Sequence, residues 1–135
     1  MEQIKFIVVH CSATTRGKNF TLRDIRKWHI AQGWRDVGYH YIVDLNGKVE
    51  KGREETEEGA HCYGHNKESI GVCYIGGLNA SGKATDTRTD EQKAALRTLL
   101  KELKEKYPQA KIIGHNHFAN KACPCFNADE EYADL

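Results

Sequence analysis

Two histidines, a lysine and a cysteine crowd one short segment near the C-terminal end, His115-Asn116-His117-Phe118-Ala119-Asn120-Lys121-Ala122-Cys123-Pro124. Imidazole nitrogen and thiolate sulfur are zinc ligands, at about 2.0–2.1 Å and about 2.3 Å. A further candidate, His10, ends the apolar run Ile4-Lys5-Phe6-Ile7-Val8-Val9 at the other end of the chain. If the strand leading to His10 lies beside the apolar run Lys111-Ile112-Ile113-Gly114, then His10, His115 and Cys123 make a three-ligand zinc site at strand ends. Its fourth position would stay open, which is the design of hydrolytic rather than structural zinc sites. His115 and Cys123 stand eight residues apart, enough for one loop to curl back, and Pro124 fixes the chain after the thiol. A thiolate ligand would hold the ion more tightly than a carboxylate, with some loss of Lewis acidity.

Spacing alone leaves alternatives open. The candidate ligands are far apart in sequence, and the seven histidines are equally compatible with ordinary surface and core roles. His117 competes with His115; on an extended segment the two point to opposite faces, so only one reaches an ion. The contiguous string His115-Asn116-His117 is not read as an HNH nuclease, whose motif is dispersed over a hairpin and a helix and is accompanied by a basic surface.

Composition narrows the class. The chain has 135 residues, 20 Lys+Arg against 19 Asp+Glu, and a hydrophobic fraction of 39%. That predicts one domain, residues 1–135, large enough for a normal core. With a formal charge of +1 and no single-sign run, no nucleic-acid partner is expected. The N-terminal apolar run is too short for a signal peptide, and no segment approaches membrane-spanning length. The expectation is synthesis in the cytoplasm, no membrane insertion and a monomer. Five cysteines, an odd number without framework spacing, argue against a disulfide scaffold. In a reducing compartment such thiols fill cores or bind metal.

The elements that must position these groups are legible. Ile4–His10 reads as a buried strand. Thr21 and Asp24 have capping-box spacing ahead of Leu22, Ile25, Trp28 and His29, with Gly33 as the stop. Tyr39–Val43 and Lys48–Gly52 read as a hairpin around Asp44-Leu45-Asn46-Gly47. Ser69–Ile75 is a further strand, closed by Gly76-Gly77. Thr89 and Gln92 cap a helix striped by Leu96, Leu99, Leu100 and Leu103 and ended by Pro108. Asn127 caps a short final helix. The order predicts an α/β fold, a mixed central β-sheet with helices on both faces. Trp28, His29 and Trp34 are read as helix packing. His40 and Cys11, each beside a site residue on a strand, should face away from it and belong to the core.

Four blocks in the same order resemble the zinc-dependent N-acetylmuramoyl-L-alanine amidases of type 2, the bacteriophage-lysozyme branch in particular. They are Phe6-Ile7-Val8-Val9-His10-Cys11-Ser12-Ala13-Thr14, Gly33-Trp34-Arg35-Asp36-Val37-Gly38-Tyr39-His40-Tyr41, Ser69-Ile70-Gly71-Val72-Cys73 and Lys121-Ala122-Cys123-Pro124. Animal peptidoglycan-recognition proteins share that fold. The resemblance implies Zn2+ on His10, His115 and Cys123, catalysis by Tyr39 and Lys121, and a glycan-peptide groove near His61 and Asn66. It implies cleavage of the amide between the lactyl group of N-acetylmuramic acid and the first L-alanine of the stem peptide. The partner is then peptidoglycan or a muropeptide, met in the cell wall after release or as a cytosolic fragment. Two departures stand out. Many members carry a glutamate where this chain has Cys73, although the phage-lysozyme branch also lacks it. Cys125 stands where glycine or serine is usual.

In the expected chemistry, the metal activates water and polarises the scissile carbonyl, Lys121 donates to the oxyanion, and Tyr39 bonds the water or the developing anion. Two other readings compete. One is a non-catalytic muropeptide-binding module, for which retention of the ligands and Lys121 is unnecessary. The other is an amidase with Cys11 or Cys123 as nucleophile, indifferent to metal removal.

Overall fold

The computed structural model describes residues 3–135. Its strands are β1 (Phe6–Cys11), β2 (Thr14–Thr15), β3 (Tyr41–Val43), β4 (Val49–Lys51), β5 (Ser69–Tyr74), β6 (Gly77–Leu78) and β7 (Lys111–Gly114). Its helices are α1 (Leu22–Ala31), α2 (Asp90–Lys106) and α3 (Ala128–Glu131). Five strands form the main sheet in the order β4-β3-β5-β1-β7. β1 is parallel to both β5 and β7, β5 is parallel to β3, and only the edge pair β3–β4 is antiparallel. β2 and β6 make a separate two-stranded parallel ribbon.

The central strands are covered on both faces, which is why β1 and β5 read as near-continuous apolar runs rather than alternating ones. Successive side chains still leave on opposite faces. Ile7 and Val9 of β1, with Ile70, Val72 and Tyr74 of β5, meet the leucine stripe of α2 and Ala128 of α3. On the other face Leu22 and Ile25 of α1 pack with Val37, Ile42, Cys73 and Ile75. His10 leaves β1 on that second face, beyond the reach of α1, where the irregular chain between β4 and β5 closes over the sheet.

The predicted architecture is present, with helices on both faces of a mixed sheet. Both capping boxes form: the Thr21 N–H donates to Asp24 at 2.9 Å, and the Gln92 N–H donates to the Thr89 hydroxyl at 3.0 Å. Gln92 does more than its spacing implied. Fully buried, its side-chain amide also donates to the carbonyls of Val43 and Ile75, tying α2 to the ends of β3 and β5. The hairpin turn is fixed by Asp44, whose carboxylate accepts from the N–H groups of Asn46 and Lys48, and by Gly47 at φ +82°. Strand extents differ. β1 runs Phe6–Cys11 rather than Ile4–His10, β3 begins at Tyr41 rather than Tyr39, β4 runs Val49–Lys51 rather than Lys48–Gly52, and β5 ends at Tyr74 rather than Ile75. Before β3 the chain keeps sheet-like bonds, His40 N–H to the Gly71 carbonyl and Arg53 N–H to the Tyr39 carbonyl, without running as a regular strand. The two-residue strands β2 and β6 are too short to leave a periodic signal. Among the described residues, no helix is long and apolar enough to cross a membrane.

His40 is a fully buried core histidine, as its position beside Tyr39 predicted. Its Nδ1 accepts from the Gly71 N–H at 3.0 Å, and its Nε2 bonds the Glu57 carbonyl at 2.8 Å. This pattern needs the neutral ring, and burial holds its pKa below the usual 6.5. The unfolded chain takes up that proton near pH 6.5 and the native chain does not. His40 therefore adds stability above about pH 6.5 that is lost as pH falls further, at up to about 1.4 kcal/mol per pH unit. The other buried imidazoles act in the same direction. Urea unfolding of the metal-free protein should give a free energy that declines steadily from about pH 7 to about pH 5; a flat profile would contradict the assignment.

Candidate metal centre and its groove

Strand register builds the site. β7 pairs with β1 so that Gly114 lies opposite Val9. The next residue on each strand is a histidine, and their rings come to lie 4.5 Å apart between centroids. The chain then makes a single 3-10 turn, His115–His117, rather than running on as an extended segment. That turn separates the two competing histidines. His115 stays at the strand end, while His117 turns to Asp129 at 2.5 Å. After the turn the chain loops back and presents Cys123, whose Sγ lies 3.9 Å from His10 Nδ1.

One ligand atom each from His10, His115 and Cys123 thus fall within 4.8 Å of one another. A tetrahedral zinc ion with bonds of about 2.0–2.3 Å needs its ligands about 3.5 Å apart. Small side-chain adjustments close that gap, and the donor set of two nitrogens and one sulfur suits zinc. The residues present therefore fit a metal. Burial and the nearby positive groups hold both imidazoles below their ordinary pKa, His10 well below, so each is neutral at pH 7 and has a lone pair to offer.

The returning loop is anchored from several sides. The Tyr74 hydroxyl at the end of β5 donates to the Pro124 carbonyl at 2.6 Å. Arg88, nearly all of its side chain buried, stacks 3.4 Å from the Phe126 ring centre. Its guanidinium also donates to the carboxylates of Asp86 and Glu131. Gly114 is required at the turn, since a Cβ there would sit 2.9 Å from the Pro124 ring. The backbone N–H of Cys11 donates to the Cys123 sulfur at 3.2 Å, which orients the sulfur at the strand ends. That contact had no signal in the sequence, because backbone groups carry no residue-type information.

A groove of about 740 Å³ opens over these three residues. Tyr39 and Lys121 both line it. The Tyr39 ring centre is 5.1 Å from that of His10. Its hydroxyl is pushed well above the ordinary range by burial and by the neighbouring thiol of Cys73, so it stays protonated. Cys73 is fully buried beneath Tyr39, and burial pushes its thiol up as well, so it is no base. Cys11 is buried with its Sγ 3.8 Å from that of Cys125. Its bond to Cys123 and its burial raise its pKa far out of the nucleophilic range, which argues against Cys11 as a nucleophile. Trp34 rests on His29, as expected of a packing residue, and it also lines the groove.

His61 and Asn66 line the groove too, but both ring nitrogens of His61 and Oδ1 of Asn66 are engaged within the fold. Asn66 Oδ1 accepts from the N–H groups of His61 and Cys62, each at 2.9 Å, which shapes that loop. His61 Nδ1 faces His10 Nε2 at 2.8 Å, and its Nε2 faces the Ser69 hydroxyl at 3.2 Å. Burial lowers the His61 pKa to about 3. Among the groove residues that the sequence reading did not single out is Tyr63, 99% exposed on the rim. The purified chain should bind one zinc ion. By chelator competition, His115→Ala and Cys123→Ser should weaken binding by at least about 100-fold, and His117→Ala by less than about threefold. Loss of binding in His117→Ala with retention in His115→Ala would assign the ligand to the wrong histidine.

The sequence matches the family described as N-acetylmuramoyl-L-alanine amidase over residues 1–126. The endolysin of Escherichia phage T7 is 47% identical over 126 residues, 93% of this chain and 83% of the relative. The endolysin of Klebsiella phage KP32 is 47% identical over 121 residues, 90% and 80% of the two chains. Among solved structures, the N-acetylmuramoyl-L-alanine amidase LysC from Clostridium intestinale URNW matches with a TM-score of 0.81 at 27% identity, over 96% of this chain and 82% of that one. Drosophila PGRP-LB shares the fold with a TM-score of 0.81 at 22% identity, over 100% and 82%. With the family matched across nearly its whole length and relatives near one-half identity, this chain belongs to the N-acetylmuramoyl-L-alanine amidases.

Proposed function

We propose that the chain is a zinc-dependent amidase, with residues 1–135 acting as one domain and as a monomer. Its reaction is hydrolysis of the amide joining the lactyl group of N-acetylmuramic acid to L-alanine in peptidoglycan stem peptides. The observation that carries this reading is the convergence of three ligand atoms within 4.8 Å at the floor of a groove that Tyr39 and Lys121 also line. All five residues come from one chain, so no second copy is needed to complete the site. The name that the phage relatives carry, endolysin, supports a substrate in the cell wall, reached after release from the cytoplasm.

Bound zinc would supply a Lewis acid for the scissile carbonyl and lower the pKa of water at the open position. The remaining work falls to groups of the protein. As the carbonyl carbon becomes tetrahedral, its oxygen gains negative charge, and the Lys121 ammonium stabilises that charge. Lys121 is tethered two residues before Cys123, which keeps its head near the metal end of the groove. Tyr39, protonated in its buried setting, donates to the attacking water or to the same developing anion. With Cys73 in place of a carboxylate, these two residues carry the polar chemistry alone. His61 and Asn66 serve substrate binding through the groove wall they build.

Lys121→Ala should lower kcat on purified muropeptide by about 10²–10³-fold, as for loss of an oxyanion donor. Tyr39→Phe should lower it by about 10²-fold. Both variants should keep a full equivalent of zinc. Full turnover in either zinc-loaded variant would remove that residue from the mechanism.

A further inference from the structure

We infer that His61 is a positioning residue that selects, through a one-way chain of hydrogen bonds, which nitrogen of His10 faces the metal. The inference rests on the reading of His10, His115 and Cys123 as the metal site.

The direction of the chain follows from its far end. The Ser69 hydroxyl donates its single proton to the backbone carbonyl of His65 at 2.7 Å, and a carbonyl can only accept. Toward His61, 3.2 Å away, the Ser69 oxygen must therefore accept. His61 then carries its proton on Nε2. In a neutral ring that leaves a lone pair on Nδ1, which faces His10 Nε2 at 2.8 Å. His10 must supply the proton there, so its Nε2 is the donor and its Nδ1 is bare. Nδ1 is the atom that lies 3.9 Å from the Cys123 sulfur. Protons along His10, His61 and Ser69 all point toward the His65 carbonyl, and the only lone pair left over points at the metal position.

The fold holds His61 to this task. A Cβ on Gly71 would lie 2.6 Å from the His61 ring, and one on Gly59 would lie equally close to it. Neither place admits a side chain, so the ring lies flat against the sheet beside His10. The His61 N–H is fixed by Asn66 Oδ1 at 2.9 Å. Ligand histidines usually pass their second ring proton to a carboxylate, a carbonyl or water. A neutral imidazole in that place orients His10 without adding negative charge. With Cys123 as the only anionic ligand, the ion keeps more of its Lewis acidity.

Nitrogen-15 NMR of the ring nitrogens tests this in the unaltered chain. His10 and His61 should both be Nε2–H tautomers without metal, and zinc should shift His10 Nδ1 while its Nε2 proton stays. An Nδ1–H tautomer at either ring would overturn the inference. Zinc affinity by chelator competition supplies the second arm. His61→Leu should weaken binding by about 10–100-fold, while His61→Asn, whose carbonyl still accepts from His10, should stay within about threefold of the unaltered chain. Equal affinity in His61→Leu would also overturn it. If the unaltered chain binds no zinc at all, the metal reading fails, and the tautomers of the metal-free protein still decide the direction of the proton chain.

Discussion

Parallel pairing of β1 with β7 is the constraint on which everything else depends. The two strands come from opposite ends of the chain, and their register places Gly114 beside Val9. A slip of one residue would send His115 and His10 to opposite faces of the sheet. The register is held because both faces of these strands are buried, so a slip would swap the side chains fitted to each close-packed face. Long-range packing thus fixes a local geometry that no short segment specifies by itself. The site sits at the carboxyl ends of parallel strands, where open α/β sheets generally place their ligands.

Around that pairing, polar groups do the finer placement. Tyr74 and Arg88 anchor the segment that returns Cys123 to the strand ends. The Cys11 N–H meets the sulfur, and the His61–Ser69 pair sits behind His10. These groups leave no buried side-chain nitrogen or oxygen without a partner among the described residues. Burial has a second consequence. It keeps the site's imidazoles neutral and the Tyr39 hydroxyl protonated, which are the forms a metal ligand and a hydrogen-bond donor require.

Much of this was legible in the sequence. Capping boxes, the leucine stripe of α2 and the strand Lys111–Gly114 are local patterns, and each appears where its residues place it. The ligand set was legible as a possibility from residue types, and the block resemblance separated it from ordinary histidines. Three things were not legible, each for a physical reason. Spacing could not rank His115 against His117, and only the resemblance chose between them, because the choice depends on a 3-10 turn and on Asp129, twelve residues further along. His61 read as a groove residue because its partners, His10 and Ser69, come from two different strands and meet it only in the folded chain. The Cys11 contact to Cys123 uses a backbone donor, which any residue type could provide.

X-ray absorption at the zinc edge of the zinc-loaded protein tests the central claim most directly. The account predicts one sulfur neighbour at about 2.3 Å, two imidazole nitrogens at about 2.0–2.1 Å and one further light atom. A bound ion with no sulfur neighbour, or with more than one, would contradict it.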